Sequence, residues 1–274
     1  MFFDPTAFGD ELCKIAEEKA IYSPGVVGHE AGHAKIHRHP EVHGKAKIDL
    51  MGVAEALGPW AALGGYAAYK GFKGEGVTRG GLALASAAGM APRLADEYGS
   101  SIIGHREMKK GKRKTFTKEE LASERNRLIG AGATYTLVPL AVAGMGQVDS
   151  PAARKAIAIA ATGGQLGGLA VANKPGGPKI TARQAKKIVQ DIAPGTEVYA
   201  SKEPVPFGSA YVPPSKNKLR KLIVNLTLAP YLKDKDRKRI VERGGVMIAP
   251  MARKSMIPAI MGQQYTHDPF KRVK

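Results

Sequence analysis

A single cysteine, Cys13, excludes an intrachain disulfide and leaves no cysteine cluster to ligate a metal. That scarcity fits a reducing compartment. Aromatic residues are also few. The 274 residues include 9 tyrosines, 7 phenylalanines and 1 tryptophan, so the 43% apolar fraction rests on alanine and small aliphatics. Acidic residues are outnumbered: 24 Asp+Glu against 42 Lys+Arg leave a net charge of +18. A surplus of this size points to an anionic partner, whether nucleic acid, an acidic membrane face or an acidic protein; a solvated basic surface is the plainer alternative. The opening, MFFDPTAFGDELCKIAEEKA, has neither a basic n-region nor a long apolar h-region, so no signal peptide is expected. It reads as a short amphipathic helix with Phe8, Leu12, Ile15 and Ala16 on one face.

Four apolar runs rich in small residues are present: Leu50 to Phe72, Gly80 to Ala91, Leu128 to Val148 and Ala156 to Ala172. A bilayer core needs about 20 apolar residues per helix, a length that the third run meets cleanly. Small residues four apart, Gly64 with Ala68 and Gly164 with Gly168, permit close helix packing in lipid. A tightly packed soluble bundle rich in Ala and Gly is the alternative. The loop HREMKKGKRKTFTK, His105 to Lys118, is strongly basic. From Lys174 onward, 21 Lys/Arg and 7 Asp/Glu give 21 − 7 = +14. Four spans would place the N-terminus, that loop and the C-terminal region on one side, which the positive-inside rule assigns to the cytoplasm.

After the Gly/Pro stretch NKPGGPK the texture changes. A basic helix with Thr181 as N-cap follows, then the short β-like pieces TEVYAS, SAYVPP and GVMIAP. The helix KDKDRKRIVERGG has Gly244 as its stop. YTHDPFKRVK reads as a tail. The expected fold is therefore mainly α: a membrane-embedded helical bundle rich in Ala and Gly, then a small α+β C-terminal domain. The divisions fall at 1–25 (amphipathic helix), 26–172 (helical domain), 173–180 (linker) and 181–274 (basic domain and tail).

Five of the seven histidines lie between Val26 and Gly44, beginning with His29-Glu30-Ala31-Gly32-His33. In H-E-x-x-H on a helix, two imidazoles four residues apart project from one face and can hold zinc, while the glutamate serves as general base. The same five residues also arise by chance in a histidine-rich segment. His37 continues the row and is a candidate supporting residue; His39 and His43 read as surface. A catalytic zinc usually has a third protein ligand. Asp96 and Glu97 follow the second apolar run, where an acid needs a partner. The four-span topology returns Glu97 to the side of His29 and His33. A solvated acid at a helix end, or a mate for Arg93, is the alternative.

GHEAGHA, an apolar run, PRLADEYGSS, a basic loop and ASERNRLIGAGATYTLVPLAVAGM together resemble the membrane-embedded neutral zinc metallopeptidases. The resemblance covers about Val26 to Gly146. It implies Zn2+ on His29, His33 and Glu97, Glu30 as catalytic base, and a protein or peptide substrate, with Asp96 and His37 beside the site. Gly99 stands where that family has an acid, and the runs are poorer in Leu and Phe.

FGDELCKIAEE resembles the N-termini of tailed-phage structural proteins. It implies a non-enzymatic alternative, a virion or ejection protein assembled with other copies that contacts membrane or DNA. GGQLGG is no phosphate loop, because it lacks the Lys-Ser/Thr and a preceding strand. Lys109, Lys110, Lys112, Arg113 and Lys114 of the central loop are expected at an anionic surface, lipid ahead of nucleic acid. Lys235, Arg237, Lys238 and Arg239 of the C-terminal helix are expected there too.

Overall fold

The computed structural model describes residues 20–38, 50–110, 116–172, 177–205, 208–214, 218–250 and 269–273. The expected N-terminal helix, the residues resembling phage proteins, His39, His43, Lys112, Arg113 and Lys114 lie outside the described residues. The fold is mainly helical, with a small mixed sheet near the C-terminal end. In chain order the helical part is α1 (Pro24–Arg38), α2 (Leu50–Phe72), α3 (Arg79–Gly89), α4 (Ala91–Lys110), α5 (Lys118–Gln147) and α6 (Pro151–Ala172). The remainder is α7 (Ala182–Ile192), β1 (Glu197–Ser201), β2 (Ala210–Val212), α8 (Lys218–Leu228), α9 (Asp234–Arg243), β3 (Gly245–Ile248) and β4 (Phe270–Arg272).

Local signals account for several boundaries. Thr117 with Glu120 and Thr181 with Gln184 form capping boxes that start α5 and α7. Gly244, at φ 69°, ends α9 in a backbone region that other residues seldom adopt. The second apolar run does not continue as one helix. α3 stops at Gly89, and α4 restarts at Ala91 after Met90. Its 11 residues rise about 16 Å, roughly half a bilayer core.

Each of the four runs is helical, and their small residues set how closely the helices approach. A Cβ on Gly168 would lie 2.6 Å from the Gly130 carbonyl oxygen, so α6 lies against α5 backbone to backbone. Gly64, by contrast, faces open space. Among the described residues one helix, α5, is long and apolar enough to cross a membrane, and only 22% of its apolar window is buried. The outward faces of α2, α3, α5 and α6 carry Leu57, Trp60, Phe72, Leu84, Leu140 and Leu166, all more than half exposed.

The sheet order is β2-β3-β1-β4, with β1 and β3 parallel and both edge strands antiparallel to their neighbours. Alternation along β1 and β3 divides the core in two. Val198, Val246 and Ile248 pack with α7 and with Tyr22, Val27, Ala31 and Ala34 in and just before α1. Tyr199 and Met247 pack on the other face with Leu228, Leu232, Ile240 and Phe270.

The structure departs from the sequence reading in three places. α1, assigned by sequence to the helical domain, shares a core with the C-terminal sheet, and Tyr22 bridges to Ile180. The expected tail supplies β4, which pairs with β1 through Phe270, Lys271 and Arg272. α8 was not anticipated at all.

Candidate metal centre

The site is made where α1 crosses α4. Two glycine contacts permit the crossing. A Cβ on Gly32 would lie 2.6 Å from Ser100 Cα, and one on Gly104 would lie 2.8 Å from the His29 nitrogen. Both obstacles are backbone, so a side chain at either position would force the helices apart. The start of α1 is fixed from α5. Glu124, 2% exposed, accepts hydrogen bonds from the Ser23 hydroxyl (2.6 Å) and the Gly25 N–H (2.9 Å), and pairs with Arg127 at 2.7 Å. An acid at a helix N-terminus satisfies free N–H groups and complements the helix dipole.

This crossing brings His29, His33 and Glu97 together. His29 Nε2 lies 3.0 Å from His33 Nε2 and 3.3 Å from Glu97 Oε2; His33 Nε2 is 3.7 Å from the same oxygen. Glu97 Oε2 is buried with no hydrogen-bond partner. Burial alone would raise the Glu97 carboxyl, but the two imidazoles outweigh it and hold the group at about 2.

The outer ring nitrogens are engaged. Ser101 donates to the Glu97 carbonyl at 3.0 Å, so its oxygen accepts from His29 Nδ1, also at 3.0 Å. That assigns the proton to Nδ1 and leaves His29 Nε2 with a lone pair facing the triangle. His33 Nδ1 lies 2.7 Å from Asp96 Oδ2 and 2.9 Å from the Ser100 hydroxyl. Burial would lower the His33 imidazole, but the Asp96 and Glu97 carboxylates raise it to about 10. As an imidazolium it donates from Nδ1 to Asp96 and from Nε2 to His29. Asp96 is 4% exposed; burial would raise its carboxyl, and hydrogen bonds from His33 and His37 pull it well below its ordinary range. His37 Nε2 is 3.2 Å from Asp96 Oδ2.

Glu30 lies beside this set, 8% exposed, and burial raises its carboxyl. The Tyr211 backbone N–H, from edge strand β2, donates to it. The three histidines, Glu30, Asp96, Glu97 and Tyr211 line one cavity of about 700 Å³, together with Glu55, Arg93, Tyr135 and Ser209. The C-terminal sheet therefore forms one wall of the site.

The structure brings together every site residue expected from the sequence near H-E-x-x-H. Glu55, Arg93, Tyr135 and Tyr211 were missed there. For Glu55 the signal was present, an isolated acid inside an apolar run. The described basic residues expected at an anionic surface lie on two helices, α4 and α9. Lys109, Lys235 and Lys238 are exposed, Arg237 pairs with Asp234, and Arg239 sits 2.6 Å from Glu197. Lys110 falls at the end of α4.

The groupings His29–His33–Glu97 and His33–His37–Asp96 could each hold a metal ion. No family model matches the chain, and no curated protein or solved structure is significantly similar to it.

Proposed function

We propose that the chain is a membrane-associated zinc metallopeptidase, with zinc held by His29, His33 and Glu97 and with Glu30 as general base. The observation that carries this reading is the triangle of donor atoms with edges of 3.0, 3.3 and 3.7 Å. Ligands at about 2.0–2.1 Å from a tetrahedral zinc stand roughly 3.3–3.4 Å apart. Glu97 Oε2, buried between the two imidazoles without a well-formed hydrogen bond, faces the same point, and the ion would take the place of the His33 Nε2 proton. Imidazole and carboxylate donors suit zinc, and the carboxylate behind His33 is the usual outer support of a zinc-binding imidazole.

Bound there, zinc would supply a Lewis acid and make a water acidic enough to lose its proton near neutral pH. The chain's own groups do the rest. Ser101 and Asp96 fix the ring orientation of His29 and His33 through their Nδ1 hydrogens. Glu30, its carboxyl raised by burial and oriented by the Tyr211 N–H, takes a proton and returns it to the leaving amine. The cavity admits a peptide segment of a protein substrate.

The exposed apolar faces support embedding. α5 would cross the bilayer beside α6, 22 residues long, while α3 packs on α5 and on the 23-residue α2. α2 and the shorter α3 would leave and re-enter the side that carries α1 and α4. The basic C-terminal region then faces the cytoplasm against anionic headgroups.

The decisive experiment pairs metal analysis with cleavage of an unfolded protein substrate in detergent. Wild type should carry zinc at this triangle, and a His29→Ala/His33→Ala double variant should lose that ion. Glu30→Gln should keep the zinc and lose cleavage. A wild type that stays metal-free after zinc supplementation, or a fully active Glu30→Gln, defeats the reading.

A further inference from the structure

A second cavity, of about 300 Å³, adjoins the candidate metal centre and shares two of its lining residues, Arg93 and Tyr135. It lies where α3 gives way to α4 against α5. On α5 it follows one helical face away from Tyr135, through Val138, Pro139 and Val142. Ala87 and Met90 line it from the α3 side. Beyond the shared pair, only Ser86 and Thr134 interrupt an apolar lining, and none of the described residues around it is Asp, Glu, His or Lys.

We infer that this pocket receives one bulky apolar side chain, of the Leu, Met or Phe kind, from the polypeptide held at the proposed peptidase centre. Continuity decides the occupant. Arg93 and Tyr135 front both cavities, so a chain lying in the larger one can drop a neighbouring side chain into the smaller without leaving the site. Volume sets the size: about 300 Å³ holds a single branched or aromatic side chain, and small lining residues such as Ala87 leave that space open. Composition sets the chemistry. Apolar walls gain from an apolar group and would leave a buried charge unpaired. Arg93, which makes no ion pair among the described residues, and Tyr135 put hydrogen-bond donors at the threshold, where peptide carbonyls pass. The inference rests on the peptidase reading for the position of the polypeptide, and adds to it a preference for sequence.

The test gives the full-length chain, in detergent with zinc, an unfolded protein to cut, and maps the new ends by mass spectrometry. Wild type should favour sites with Leu, Met or Phe at one fixed position beside the cut. Ala87→Phe fills the pocket. It should lower kcat/KM for a leucine peptide, relative to its glycine counterpart, by roughly ten-fold or more, the scale that a missing methylene commands in an apolar pocket. Val138→Ala, at a half-exposed position, enlarges the pocket and should move the preference toward Trp. Circular dichroism and metal analysis should find both variants folded and loaded with zinc. A second readout needs no cleavage: in the metal-stripped chain, a peptide carrying a diazirine analogue of leucine should cross-link to Met90, Val138 or Val142. Cutting without side-chain preference, a preference that neither variant moves, or cross-links that avoid the pocket overturn the inference and leave the peptidase reading standing. Cross-links in the pocket of a wild type that never cuts sink the peptidase reading and keep the pocket as a site for apolar peptide. Neither cutting nor cross-links in the pocket overturns both.

Discussion

Gly32 and Ser100 meet backbone to backbone: a Cβ on the glycine would come within 2.6 Å of the serine Cα. This contact sets how far His29 and His33 stand from Glu97. Gly32→Ala is expected to separate α1 from α4, destabilise the fold by about 1–3 kcal/mol and weaken zinc binding. Thermal unfolding and competition with a chromophoric chelator measure the two effects. Unchanged values for both would mean that the crossing does not govern the site.

Asp96 holds the His33 ring through Nδ1 at 2.7 Å. Outer carboxylates of this kind typically change metal affinity by about 10- to 100-fold. Asp96→Asn should lower zinc affinity within that range. An affinity equal to wild type would deny Asp96 its positioning role.

Glu197 sits among three arginines, Arg239 at 2.6 Å, Arg272 at 3.6 Å and Arg243 at 3.9 Å. Burial would raise its carboxyl, but hydrogen bonds from Tyr199 and Arg239 and the charge of Arg272 hold it below the ordinary 4.5. A depressed carboxylate contributes stability above its unfolded value and loses it as pH falls through the folded one. Glu197→Gln should therefore lower Tm at neutral pH, with the difference from wild type shrinking as pH drops below the ordinary carboxylate range. A loss of equal size at both ends would trace the effect to packing instead.

Trp60 is the chain's single tryptophan and is 74% exposed on α2. If the apolar face of α2 contacts lipid, emission shifts to the blue in liposomes, and brominated acyl chains quench it. Water-like emission in liposomes, unaffected by bromine, would remove α2 from the membrane.

The sequence was most legible where chemistry and spacing coincide. His29 and His33 follow from helical period, and Glu97 from an acid that needs a partner after an apolar run. The Thr181 cap and the Gly244 stop were readable because caps are local. α8 was missed because KLRKLIVNLTL mixes exposed and buried apolar residues without a clear period; Leu222 and Leu226 are exposed while Leu228 is buried. β4 was missed because three residues become a strand only when β1 is there to pair with them. Tyr211 reaches the site through contacts far apart in sequence, which no local pattern encodes, whereas Glu55 carried a local signal, an acid inside an apolar run, that went unused.

Pinned on one side by α4 and on the other by α7 and the sheet, α1 is completed by residues translated more than 180 positions after it begins. Tyr211 supplies the N–H that orients Glu30, and Val246 and Ile248 close the core beneath Ala31 and Ala34. A ribosome that has released only the helical part has made His29, His33 and Glu97 but not the wall that orders them. The wall that orders these groups therefore cannot form before Tyr211 and β3 have been made. If the centre cuts peptide bonds as proposed, it would stay silent until those residues join it.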